Sequence, residues 1–138
     1  MSIEMDRRFI YIGVSSSKLN LKVPFPTSGK AAFETSRFVD STRNANGVVV
    51  GQQVGRSIDK QNMAWAVMDC EIWWEINRYI ERNGMFFYCK YFSHNFGEWR
   101  TRKFYCSDFK CTPALVDPST GKPTYYKDCS FNVIDVGA

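Results

Sequence analysis

The sequence predicts a mostly-β protein: an antiparallel β-sandwich or rolled barrel with one α-helix packed across an opening. Three observations lead there. Short stretches rich in β-branched and aromatic residues recur along the chain, separated by turn residues. One segment alone has helical periodicity. The connections are short, which favours antiparallel neighbours over parallel crossovers. With 138 residues, 44% hydrophobic and 16% aromatic, the chain has the size and composition of a single domain, 1–138, with a core of its own.

Residues 8–14 (RFIYIGV) read as the first strand. In 18–23 (KLNLKV), Leu19, Leu21 and Val23 alternate with Lys18, Asn20 and Lys22, the pattern of a half-buried strand. Pro24 and Pro26 stop it, and Thr27-Ser28-Gly29 reads as a turn. A strand pattern returns over 32–39 (AFETSRFV). The stretch 40–47 (DSTRNANG) offers almost nothing to bury and reads as the clearest loop, closing on an Asn-Gly step that favours positive φ. Residues 48–54 form another strand, with Gly51 a candidate bulge. In 58–67, Met63, Trp65 and Val67 alternate with Asn62, Ala64 and Ala66. These last two strands are expected to pair as a hairpin around Gly55-Arg56-Ser57.

The helix is the most sharply written element. Asp69 is its N-cap, able to accept from first-turn amides. Ile72, Trp73, Ile76, Tyr79 and Ile80 fall on one stripe, Glu71, Glu75, Arg78, Glu81 and Arg82 take the other side, and Gly84 is the stop signal. Trp74 falls off the stripe, as a partly covered edge or as a contact with another chain. Residues 85–92 (MFFYCKYF) form an aromatic strand, 93–98 its turn and 99–106 the returning strand. An exposed turn, Asp117-Pro118-Ser119-Thr120-Gly121, precedes a long final strand at 125–136 (YYKDCSFNVIDV). The total is roughly eight strands, with the helix after the fourth or fifth.

Several function classes find no support. No run reaches the ~20 apolar residues of a membrane-spanning helix. The polar stretch 1–8 lacks the apolar core of a signal peptide, so the chain is expected in a cytoplasm unless a machine exports it. The five cysteines, Cys70, Cys89, Cys106, Cys111 and Cys129, are odd in number and have no CxxC spacing, which fits free thiols in or near a core. With a single histidine there is no zinc-binding set. Phosphate-binding glycine motifs are absent, and Asp69, Glu71 and Glu75 lie on a solvated side. No catalytic, metal or cofactor-binding residue is assigned. A cysteine hydrolase pairing one thiol with His94 is a third reading, although a lone turn histidine is most often exposed filler.

The charge of +4 is mild for a dedicated nucleic-acid binder. The alternative reading is nonetheless a small nucleic-acid-binding β-barrel, using Lys90, Arg100, Arg102 and Lys103 with Tyr88, Tyr91 and Trp99. Arg100, Arg102 and Lys103 have mixed strand parity and do not all share one face. Val48-Val49-Val50 and Met85-Phe86-Phe87 are unguarded apolar runs, either edges open to sheet extension between copies or central strands of a monomer.

The order of features carries a resemblance. A short strand ends near Gly13 and a proline-containing stretch follows. Then come the 40–47 loop with an Arg-Asn/Thr-x-x-Gly core, a hairpin, one helix, an aromatic hairpin and a closing Ser-Phe-Asn-Val-Ile at 130–134. From about residue 10 to residue 135 the chain resembles small tail proteins of long-tailed bacteriophages and prophages. The resemblance implies a tail-tube-like fold and a structural, non-enzymatic virion protein made in the bacterial host cytoplasm. Its place would be the tail tube, the distal tail or an adaptor, or a tail-completion component, with DNA passing through the lumen without sequence-specific binding. The implied partners are copies of itself in a ring, hexameric as is common in that fold, and neighbouring tail proteins. No membrane, cofactor or small-molecule ligand is implied. The implied inter-subunit contact is the loop, Asp40, Ser41, Thr42, Arg43, Asn44, Asn46 and Gly47, together with Trp74. Arg43 would reach a carboxylate or carbonyl of the next subunit, and Asn46-Gly47 would set the turn.

Overall fold

A computed structural model describes residues 8–137; the polar stretch 1–7 and residue 138 lie outside them. Along the chain come β1 (Ile10–Gly13), β2 (Leu21–Val23), β3 (Phe33–Ser36), β4 (Val39–Arg43), β5 (Val49–Gln53) and β6 (Ile58–Asp69). The helix α1 (Cys70–Asn83) follows, then β7 (Phe87–Ser93), β8 (Glu98–Cys106), β9 (Lys110–Val116) and β10 (Pro123–Asp135). The fold is mostly β: a large antiparallel sheet, a small separate sheet and one helix. The large sheet runs β2-β1-β7-β8-β10-β6-β3, and β4 pairs only with β5. β6 takes one flank of β10 along nearly its whole length. β8 and β9 share the other flank, β8 at Val133–Asp135 and β9 nearer the start of the strand.

The two edges of the large sheet, β2 and β3, are consecutive in the chain and joined only by residues 24–32. That short link forces the sheet to roll. Thr27 lays the link along β6: its N–H donates to the Ala64 carbonyl at 3.0 Å, and its Oγ1 accepts from the Ala66 N–H at 2.7 Å. The roll is bridged by this segment and is not a closed barrel.

The inside of the roll is filled by alternate residues of each strand: Ile10 and Ile12, Leu21 and Val23, Phe87, Cys89 and Tyr91, Met63 and Trp65, Phe131 and Val133. The helix covers one end. Asp69 caps it, its Oδ1 accepting from the Glu71 N–H at 2.8 Å, and Gly84 ends it with φ 81°. Trp73 meets Trp65 edge-on at 6.1 Å and Phe131 at 5.9 Å. Ile76 and Ile80 go under with it, each burial stabilising by about 1.5–3 kcal/mol. Ile72, expected on the buried stripe, is exposed, and Cys70 takes an inward position instead. No helix among the described residues is long and apolar enough to cross a membrane.

The strand pairings correct the sequence reading in several places. Residues 32–39 are not one strand: β3 ends at Ser36, and Val39 begins a new strand in a different sheet. The stretch 40–47 is not a loop, because Asp40 to Arg43 lie in β4 and only 44–48 turn. β5 does not pair with β6 around Gly55-Arg56-Ser57; β5 pairs with β4, and β6 lies between β3 and β10. Gly51 is not a bulge but stands in register opposite Ser41, where an added Cβ would lie 2.3 Å from the Asp40 carbonyl oxygen. β9 is an additional strand, irregularly paired and carrying Pro113 at an edge, where a missing N–H is tolerated. Among the described residues the strands number ten rather than about eight. Val67 is exposed, because β6 and β10 both switch their inward parity where Ala66 faces Asp128, a residue with φ 52°. Phe87 lies in a central strand, with β1 and β8 on its flanks, so its run is not an open edge.

Candidate functional site

The predicted contact residues 40–47 lie on a projecting arm. Every residue from 36 to 55 is exposed. Cross-strand pairs run from Val39 opposite Gln53 to Arg43 opposite Val49. The tip is a tight turn: the Asn44 N–H donates to the Val48 carbonyl at 2.9 Å, and the Gly47 N–H donates to the Asn44 carbonyl at 2.9 Å. Asn44 Oδ1 accepts from the N–H groups of Asn46 and Val48. Gly47 supplies the positive φ, 79°, which is the conformational reason for a glycine there. Arg43 donates through Nη1 to the Gly47 carbonyl at 2.7 Å, so one donor of its fork is held by its own turn.

The arm has no core. Two-stranded ribbons are marginal in water without a face to pack against. This one nonetheless exposes Phe38, Val39, Val48, Val49, Val50 and Val54, each more than two-fifths accessible. Strand pairing divides them between both faces. Asp40, Ser41 and Thr42 are strand residues with open side chains, whereas Asn44 and Gly47 build the turn.

Trp74 is not brought to the arm. It sits half-buried on α1, at the other end of β6, with Nε1 donating to Tyr126 Oη at 3.1 Å and Arg78 over its ring at 5.9 Å.

The arm leaves the roll at the end opposite the helix, and that end is filled by a charge cluster that sequence reasoning missed. Arg56, just after the arm, grips Asp135 with both terminal guanidinium nitrogens, Nη1 at 2.5 Å and Nη2 at 2.7 Å. Asp135 also accepts from Arg102 at 3.1 Å and from the Gly137 N–H at 2.9 Å. Asp59 accepts from Arg100 at 3.2 Å, Arg102 at 3.4 Å, Thr35 at 2.9 Å and the Tyr91 hydroxyl. Both aspartates are essentially inaccessible. Burial pushes the Asp135 carboxyl up, but hydrogen bonds from Arg56, Gly137 and Arg102 outweigh it and hold it below the usual carboxylate range. Burial and the bond to Asp59 push the Tyr91 phenol up. Asp135 Oδ1 already accepts two bonds and Oδ2 three, so this carboxylate is a clamp rather than a proton acceptor. The signal was available: Asp59 and Asp135 occupy inward parity in strands whose other inward residues are Met63, Trp65, Phe131 and Val133.

The cluster divides the seven residues of the nucleic-acid reading. Tyr91, Arg100 and Arg102 point inward to the aspartates. Tyr88, Lys90, Trp99 and Lys103 stand on the outer face, in cross-strand register with Tyr88 opposite Lys103 and Phe92 opposite Trp99. On that face a chain of ring contacts runs Tyr11–Trp99–Phe92–His94–Phe9–Phe25, with centroids 5.1 to 6.4 Å apart. These rings, with Arg8 and Lys90, line an open groove of about 520 Å³.

His94 is exposed and set among Phe9, Phe33 and Phe92. Burial pushes the thiols of Cys106 and Cys129 up to about 11 and that of Cys89 up as well, the reverse of what activates a nucleophile. No group of three or more metal-ligating side chains occurs among the described residues. Comparison with protein-family models, with curated proteins and with solved structures finds no match to this chain.

Proposed function

We propose that the protein is a structural subunit that assembles with copies of itself into a ring, of the kind its sequence resemblance to bacteriophage tail proteins implies. One observation carries this reading: the exposed β4–β5 arm, which presents apolar side chains on both faces and has no body of its own to cover them. Exposed apolar surface of this kind marks an interaction site, and a ribbon with two open edges is a template for sheet extension. An arm on one side of a subunit that docks on a different surface of the next is a heterologous contact, and such contacts close into rings when the rotation closes. The arm then supplies association while the rolled sheet supplies a rigid wall. In the tail positions that the resemblance implies, such a wall would surround the opening through which DNA passes.

The test is electron microscopy with light scattering on the purified chain and on a chain whose residues 38–54 are replaced by a short glycine-serine turn. Rings or stacked tubes from the intact chain, and folded monomers from the shortened one, are expected. Monomers from both at every concentration overturn the reading.

A further inference from the structure

The aromatic groove on the outer face of β1, β7 and β8 is lined by no residue of the arm, and its chemistry points beyond self-association. Trp99 is about half exposed, although a tryptophan of this kind would be covered if it served the core alone. Lys90 lies over two rings at once, 5.9 Å from the Tyr11 centroid and 5.7 Å from the Trp99 centroid. No carboxylate lines the groove among the described residues. An aromatic platform with a cation beside it is complementary to a flat ring carrying negative charge. The arrangement also repeats. Two residues before Lys90 on the same strand, Tyr88 faces Lys103, whose ammonium lies 5.1 Å from the Phe86 centroid. Two residues along a strand are about 7 Å, so the face offers successive stations of ring and cation, which suits a polymer better than a single small molecule.

We propose that this face binds single-stranded nucleic acid, with bases stacking on Trp99 and Tyr11 and phosphates meeting Lys90 and Lys103. The proposal is independent of ring assembly. It also differs in its residues from a surface built on Arg100 and Arg102, which the buried aspartates engage from the inside. Stacking reads the π-face that every base has, so little sequence preference is expected.

The experiment is fluorescence anisotropy with labelled oligothymidylate and oligouridylate of about 12 nucleotides, in about 50 mM and 200 mM salt. Binding is expected to fall with salt at a log–log slope of about −0.7 per phosphate contacted. Trp99→Ala weakens it by about 5- to 150-fold. Lys90→Gln, at an exposed position that leaves the fold intact, weakens it and makes the salt slope shallower by roughly 0.7. Binding of either oligomer with these two effects supports the proposal. Absence of binding at the lower salt overturns it, as does binding indifferent to both substitutions. Self-association that Trp99→Ala abolishes, with no oligonucleotide binding, also overturns it and assigns the groove to the arm of another copy.

Discussion

The molecule contains two hairpins of similar reach and opposite economy. In β7–β8, alternate residues go inward: Phe87, Cys89, Tyr91 and Ser93 on one strand and Phe104 on the other are buried. Arg100 and Arg102 on the same inward side find buried aspartates. The strands are fixed by what lies beneath them. In β4–β5 the same backbone pairing exists with nothing beneath. The difference teaches that hydrogen-bonded pairing alone does not tell a wall from an arm; the underside does. It also separates two kinds of substitution, those that damage the fold and those that damage only association.

Five expectations break or sharpen that contrast. Phe104 is fully buried with its ring 4.9 Å from Tyr91, so Phe104→Ala should cost about 3–5 kcal/mol in denaturant unfolding. Asp135→Ala removes the buried carboxylate that Arg56 and Arg102 share, and should cost about 3 kcal/mol in the same assay. A measured loss under 1 kcal/mol would mean that the cluster relaxes into water.

The third expectation concerns acid. The folded Asp135 carboxyl is held below its unfolded value of about 3.9, so its stabilisation is complete above that value and is lost as pH falls through the lowered folded value. Thermal melts from neutral pH downward should show this acid limb, and Asp135→Asn should flatten it. The smallest effect on stability belongs to the arm. Val50→Ala should change unfolding by no more than about 0.5 kcal/mol while weakening assembly. Gly51→Val, at a position where a Cβ meets backbone, should open the arm's amides to hydrogen exchange and leave the melting temperature in place.

Legibility in the sequence followed the underside as well. The helix was readable because Trp73, Ile76 and Ile80 share a stripe and Asp69 and Gly84 punctuate it. The β7–β8 hairpin was readable because 85–92 is dense in aromatic residues and a polar turn separates it from the returning strand. Asp40, Ser41, Thr42 and Arg43 read as a loop because a strand with both faces in water need not alternate at all. β5 was matched to β6 by proximity in sequence, although β6 finds β10, many residues away, with its longest register. The charge cluster was invisible as a cluster because Asp59 and Asp135 lie 76 positions apart, yet each was visible singly as an acid at an inward position. Of the predicted contact residues, the arm set lies on β4 and the turn that follows it, while Trp74 belongs to the helix end.

The bidentate grip of Arg56 on Asp135 also defines a load path. A pull on the arm reaches the body through two roots. One is β3, a four-residue edge strand held by pairs such as Phe33 opposite Gln61 and Ser36 opposite Ile58, which peel in sequence. The other is Arg56, tied to the last residue of β10 before the chain enters β6, where strain is shared across two strands at once. Under tension the first root yields as a zipper and the second holds as a rivet, so a pull on the arm lengthens the molecule on the β3 side before its wall gives way.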